Sequence, residues 1–236
     1  MIARVLPAAL ALLGIALLLA LGAWQLERRS WKLQLIARVN ARVHAPVVAA
    51  PGPDRWSTIS SASDEYRHVS VTGHYMADRQ TRVHALTVLG AGYWALTPLQ
   101  TDQGLTVLVN RGFVPADPHT LSAYTLAPAG TVTITGLLRL SEPRGTFLRH
   151  NVPGEERWYS RDVAAIAHAR GLSIVAPYFI DADAGLAPSG YPVGGLTVIT
   201  FPNNHLLYAL TWFSLALLGS VTLAIGRRHP PSHATA

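Results

Sequence analysis

A histidine, a tyrosine and a tryptophan open the last long apolar segment of the chain. His205, Tyr208 and Trp212 stand at i, i+3 and i+7 in Pro202-Asn203-Asn204-His205-Leu206-Leu207-Tyr208-Ala209-Leu210-Thr211-Trp212. A helix turns about 100° per residue, so the three share one face. Neutral imidazole is a metal ligand, and the two aromatic rings add flat apolar surface with a polar handle each. Polar atoms at the edge of hydrocarbon are costly to desolvate. His205 therefore either reaches the headgroup layer as an interfacial residue or holds a specific partner. Arg111 is the second pointed residue. It follows Val107-Leu108-Val109 in Asn110-Arg111-Gly112, where the strand is expected to stop and then restart. A guanidinium fork at a strand end suits a carboxylate or phosphate. The structural alternative is an ion pair with an acidic neighbour, or capping of carbonyls across the turn.

The rest of the inventory carries less chemistry. His68 and His74, six apart on one strand face, could hold a metal with His84 from the next strand, but Ser70 and Thr72 on that stretch read more simply as a wet surface. Glu155, Glu156 and Asp162 flank a turn and a helix start, where acids are common. The chain has no Gly-x-Ser-x-Gly elbow, phosphate-binding Gly-Lys loop, dinucleotide glycine fingerprint or His-Glu-x-x-His. A non-enzyme is expected. With 0 cysteines there is no disulfide framework, thiolate zinc site or copper-carrying cysteine pair. Of 19 basic residues, setting aside Arg4, Arg227 and Arg228 leaves 16 against 13 acidic ones, which favours neither nucleic acid nor a polybasic arm.

The elements that must position these residues follow from hydrophobic pattern. Residues 206–225 and 5–24 are charge-free runs of 20 residues, each spanning roughly 30 Å as a helix. Arg4 precedes the first run, Trp24 sits at an interfacial anchor position, and Glu27, Arg28 and Arg29 follow. A cleaved signal peptide is the competing reading of that run, with Ala20 and Gly22 as small residues near a cleavage site. Its apolar core exceeds the roughly 7–15 residues of such peptides, so a retained span is expected. Two spans put both termini on one side. The expected layout is residues 1–4 cytoplasmic, 5–24 and 205–225 transmembrane, 25–204 periplasmic and 226–236 a cytoplasmic tail. Arg227-Arg228-His229 support this orientation, whereas Arg28, Arg29, Lys32, Arg38 and Arg42 pull the other way.

The first helix is expected to continue as a stalk to about Ala37, followed by an irregular linker from Ala45 to Ser63 with Pro46, Pro51, Gly52 and Pro53. Strands are expected over residues 66–75, 81–88, 93–99, 105–109, 131–138, 174–180 and 196–199, with Asp102-Gln103-Gly104 as a hairpin turn. One helix follows Ser160, which can cap it, with Asp162 in its first turn and Gly171 at its end. The fold class is a membrane-anchored α+β protein. Two transmembrane helices flank a mainly antiparallel β domain, a curved sheet or partly closed barrel, with one central helix. Glycine is poorly suited to a strand unless the backbone needs an unusual angle or close approach, so Gly73 and Gly112 are expected to tolerate no side chain.

In order along the chain, these motifs resemble those of the surfeit locus protein 1 family, known in yeast as Shy. The matching stretches are Gly22-x-Trp24-Gln25-x-x-Arg28-x-x-x-Lys32, Tyr66-Arg67-x-Val69-x-Val71-x-Gly73, Asn110-Arg111-Gly112-Phe113-Val114-Pro115, Trp158-Tyr159-Ser160-Arg161-Asp162 and the segment from Pro202 to Trp212. The chain departs from the family's commonest pattern at Leu207, where a polar residue is usual. The resemblance implies an integral membrane assembly factor for haem-copper cytochrome c oxidase. It implies haem a as cofactor, bound for insertion into or retention by subunit I, with oxidase subunit I, haem a synthesis enzymes and membrane lipid as partners. His205 is then the iron ligand, Tyr208 and Trp212 pack on the macrocycle, and Arg111 faces a propionate. A chaperone for subunit I that does not touch haem, and an extracytoplasmic binding or sensor module, are the rival readings. No Arg- and Ser-rich presequence precedes the first span, so a bacterial inner membrane is expected rather than a mitochondrial one.

Overall fold

Seven strands form in the computed structural model, which describes residues 2–117, 127–143, 149–185, 190–199 and 201–228. They are β1 (Val48–Ala49), β2 (His68–Tyr75), β3 (Thr81–Thr87), β4 (Gly90–Gln100), β5 (Thr106–Pro115), β6 (Thr131–Leu140) and β7 (Val175–Ala182). Pairing runs β2 to β6 to β7 to β5 to β4 and back to β2, a closed five-stranded barrel. The closing seam is short: His74 and Tyr75 pair with Gln100 and Leu99. β1 and β3 extend the free edges of β2 and β4. The β5–β7 and β1–β2 pairings are parallel and the rest antiparallel, so the barrel is mixed and closes fully instead of in part. Closure pairs part of the β2 and β4 edges with each other, and β1 and β3 remain the outermost strands.

Two apolar clusters explain why β5 reads as continuously buried. Val69, Val71, Leu99, Val107, Val109, Leu138, Ala176, Tyr178 and Ile180 come from all five barrel strands and fill its interior. On the opposite face, Val83, Leu96, Leu108 and Phe179 pack with Trp158, Val163 and Ile166. Successive side chains alternate faces, so Val107 and Val109 point in while Leu108 points to the helix side. That helix is α2 (Val163–Ala169). Its cap is Asp162, whose carboxylate accepts from Ala165 N at 3.1 Å, and not Ser160, whose hydroxyl accepts from Asn151 Nδ2 at 3.0 Å. The Ala45–Ser63 linker is irregular but pinned to the barrel: Tyr178 Oη and Trp56 Nε1 both donate to Pro51 O, at 2.8 and 3.0 Å.

Two local expectations change and a third holds. β5 does not stop at Asn110-Arg111-Gly112 but runs through to Pro115. Gly112 absorbs the irregularity with φ +131°, opposite a register shift between Trp94 and Leu96. Residues 196–199 form no ladder; the preceding residue to bridge a barrel strand is Val193, which pairs with Phe113 at the end of β5. Asp102-Gln103-Gly104 is the hairpin turn between β4 and β5 as expected, with Gly104 at φ +75° and Thr101 N donating to Leu105 O at 2.8 Å.

The chain divides into two units, residues 39–199 with the barrel and residues 1–38 with 200–236. α1 (Ile2–Val43) runs beyond Ala37 for a total of 42 residues, all but its last five in the second unit, and α3 (His205–Arg228) of that unit has 24. Both are long and apolar enough to cross a membrane. Their large apolar side chains, Leu10, Leu13, Leu17, Leu210 and Leu217 among them, face outward without protein cover.

Candidate functional site

His205 is the first residue of α3, and Gln25 stands on α1 just past the first apolar run. His205 Nδ1 lies 2.7 Å from Gln25 Oε1. An amide oxygen only accepts, so Nδ1 is the donor of this pair, and in the neutral ring Nε2 then carries the lone pair. Nε2 has no hydrogen-bond partner among the described residues. An imidazole held by an outer acceptor on one nitrogen is oriented and polarised for metal ligation through the other. The seam between the two helices continues along the same face of α3 with Ala209 and Ala216, both buried. Small residues let helices approach closely; a Cβ on Gly22 of α1 would stand 2.5 Å from Phe213 Cε1. Trp212 belongs to this face, and its Nε1 is buried without an acceptor among the described residues. Tyr208 stands off the seam and is exposed. Cationic and aromatic residues ring this end of the unit: Lys32 Nζ sits 5.1 Å over the Phe201 ring and the Arg28 guanidinium 4.2 Å over Trp31.

The barrel unit holds a separate polar centre, built around a buried carboxylate. Asp181 Oδ1 accepts from Asn110 Nδ2 at 2.7 Å and Arg161 Nη1 at 3.1 Å. Its Oδ2 accepts from Arg139 Nη1 at 3.1 Å and Thr197 Oγ1 at 2.9 Å. Arg161 also grips Glu142, with Nε 3.1 Å from Oε2, and Arg139 Nε lies 3.6 Å from Glu65 Oε1. Burial alone would lower the Arg161 pKa, but the charges of Asp181 and Glu142 outweigh it and hold the guanidinium above its ordinary value. Burial likewise works against the Glu142 carboxylate, yet hydrogen bonds and charge from Arg161 keep it below the usual range. A cavity of about 180 Å³ borders this network, lined by Trp94, Arg139, Arg161, Asp181 and the Gly194–Val198 segment. That segment is strapped across the strands: Val193 exchanges two 2.9 Å backbone bonds with Phe113, and Gly195 N donates to Ala182 O at 3.0 Å.

Arg111 lies beside this centre in sequence but turns elsewhere. Its Nη1 donates to Gln80 Oε1 at 3.3 Å, and its guanidinium stands 5.4 Å from the Tyr75 ring centroid. Burial lowers its pKa and pushes the Tyr75 phenol up to about 12. Arg111 is in the barrel unit, and His205, Tyr208 and Trp212 are in the helical one. The histidines of the candidate metal set do not converge: His68 Nε2 bonds Asp183 Oδ2 at 2.7 Å, His74 Nε2 bonds Thr131 Oγ1 at 2.9 Å, and His84 stacks on Tyr159. Among the described residues no group of three His, Cys, Asp or Glu could hold a metal.

The motif residues thus meet in pairs that are far apart in sequence, Gln25 with His205 and Asn110 with Arg161 on Asp181. The SURF1 family profile matches residues 12–217 of the chain. Mouse Surfeit locus protein 1 is 36% identical over 214 residues, covering 83% of this chain and 67% of the mouse protein. Human Surfeit locus protein 1 is 35% identical over 216 residues, 83% of this chain and 69% of the human one. A SURF1-like protein of Monosiga brevicollis is 36% identical over 221 residues, 87% and 80% of the two chains. The chain belongs to the SURF1 family. This is a family of cytochrome oxidase assembly factors. For a SURF1 chain the residues that sequence reasoning passed over are Gln25, Arg139, Glu142 and Asp181. Two of them carried a readable signal: Leu137-Leu138-Arg139-Leu140 and Phe179-Ile180-Asp181-Ala182 set opposite charges inside apolar strands, where a charge must be paired.

Proposed function

We propose that this SURF1 chain is a membrane-anchored assembly factor that binds haem a through His205 Nε2 and aids its insertion into, or retention by, subunit I of cytochrome c oxidase. The observation that carries the reading is the 2.7 Å bond from His205 Nδ1 to Gln25, which in the neutral ring leaves the second nitrogen as a lone-pair donor at the end of a membrane-length helix. Haem iron takes an axial imidazole, and a planar macrocycle packs on aromatic rings. Trp212 fits that role with an indole N–H that lacks an acceptor among the described residues, and Tyr208 offers an exposed ring one turn from the histidine. Arg111 is a candidate for a propionate. In this reading both helices span a bacterial inner membrane and the barrel unit is periplasmic, consistent with two helices of membrane length at either end of the domain.

His205→Ala tests it. The variant should reach normal membrane abundance while the purified protein, co-expressed with haem a synthesis, loses or shifts its Soret band. Trp212→Ala should weaken binding less. A wild-type protein with no haem band under those conditions would replace the proposal with a chaperone for subunit I that acts on protein alone.

A further inference from the structure

The β3–β4 hairpin ends in an apolar tip that the barrel does not use. Leu86 is 85% exposed, Val88 93% and Leu89 51%. They are not scattered. Arg82, His84 and Leu86 alternate onto one face of β3, and the cross-strand partner of His84 is Tyr93. Along the hairpin the outer surface therefore passes from cationic through aromatic to apolar. The Arg82 guanidinium sits 5.7 Å from the Tyr93 ring centroid, and His84 packs between Tyr93 and Tyr159 at 4.8 and 4.9 Å. Arg149 adds a second cation 5.4 Å from Tyr159. The acid near this collar, Glu156, is taken up by Arg170. From Ala85 to Thr101 the chain has no acidic residue.

We infer that the Leu86–Leu89 tip inserts into the bilayer interface, with Arg82, Arg149, Tyr93 and Tyr159 as its headgroup-level collar. Three features select lipid over a protein partner. The exposed apolar surface of three side chains is a few hundred Å², short of the roughly 800 Å² that each partner of a standard protein interface buries. Residues rise about 3.3 Å along a strand, so with Leu86 at the hydrocarbon edge the His84–Tyr93 pair lies roughly 7 Å higher, in the layer that aromatic side chains prefer. The chain also carries two helices of membrane length, so a tip that reaches the bilayer does so as a tethered second contact, for which a weak intrinsic affinity suffices. Anionic lipid complements the two arginines.

The absence of cysteine from the chain makes the test clean. Val88→Cys and, as a control on the polar β4–β5 turn, Gln103→Cys are each labelled with the same environment-sensitive fluorophore in the full chain. Both are reconstituted into phosphatidylcholine vesicles with and without phosphatidylglycerol. The Val88 probe should shift to the blue relative to detergent and be quenched at least about twofold more by shallow lipid-attached doxyl groups than the Gln103 probe. The quenching should grow with the phosphatidylglycerol fraction. A Val88 probe that stays as water-exposed as the Gln103 probe overturns the inference. So does shielding that rises with the protein-to-lipid ratio, which would mark a second copy of the chain. Shielding that appears only when an oxidase subunit is added would assign the tip to a protein partner instead.

Discussion

Gln25 and His205 are separated by 180 positions in sequence and joined by one hydrogen bond. If that bond sets the tautomer, Gln25→Leu should lower haem a affinity by roughly 10–100-fold in a Soret titration without changing membrane abundance, and Gln25→Glu, which keeps an acceptor, should bind better than Gln25→Leu. Equal affinities for all three proteins would remove Gln25 from the site. Two glycines are decided at the same scale by space. A Cβ on Gly73 would stand 2.3 Å from Gln100 O, at the barrel seam. On Gly112 it would stand 2.3 Å from Val193 O, with φ already at +131°. Each Gly→Ala change should cost on the order of 3 kcal/mol in a denaturant titration. Gly104→Ala, where φ is +75° but nothing lies within 4 Å, should cost only about 1 kcal/mol.

At the scale of elements, the barrel is held by apolar strands that carry a few charges at their ends. Asp181 closes β7 and receives side chains from β5, β6, the segment before α2 and the strap at Thr197. Replacing it by Leu leaves Arg139 and Arg161 without their shared acceptor, and should lower stability by about 3–5 kcal/mol. An Asp181→Leu protein as stable as the parent would show that the two guanidiniums are adequately served by Glu65 and Glu142 alone. Asp162→Ala removes the cap of a helix of 7 residues and should cost about 1 kcal/mol.

For the whole molecule, acid sensitivity follows from carboxylates that the fold holds ionised. Glu142 is kept low although burial opposes it, Glu156 by hydrogen bonds from Arg170, and Asp64, again against burial, by Ser63 and Arg67. A carboxylate with a lowered folded-state pKa stabilises fully above its unfolded pKa, about 4 for these groups. That contribution is lost as pH falls through the lower folded value. The thermal midpoint should therefore be steady from pH 7 to about 5 and drop below about 4, with Glu142→Gln flattening part of the drop. A midpoint that stayed flat down to pH 3 would contradict this account. The apolar outer surface of α1 and α3 should also make the full chain depend on detergent or lipid for solubility.

What could be read without coordinates was whatever depends on local period. Two charge-free runs of 20 residues marked α1 and α3, and alternation marked six of the seven strands to within a few residues. The 2-residue β1 was missed because it is too short to alternate. His205 was visible because an imidazole at a helix mouth in an apolar run is conspicuous by type alone. Its partner was not, since Gln25 is an ordinary polar residue after a helix and only the antiparallel approach of α1 and α3 within their unit gives it a role. Barrel closure was likewise decided in three dimensions: the β2–β4 seam is two residue pairs long and has no sequence signal of its own. The buried centre follows the same rule. Asn110, Arg139, Arg161 and Asp181 lie on four segments, and a charge in an apolar strand says that it must be paired, but not with what. Pairing is a property of register between strands, and register is set by the whole sheet.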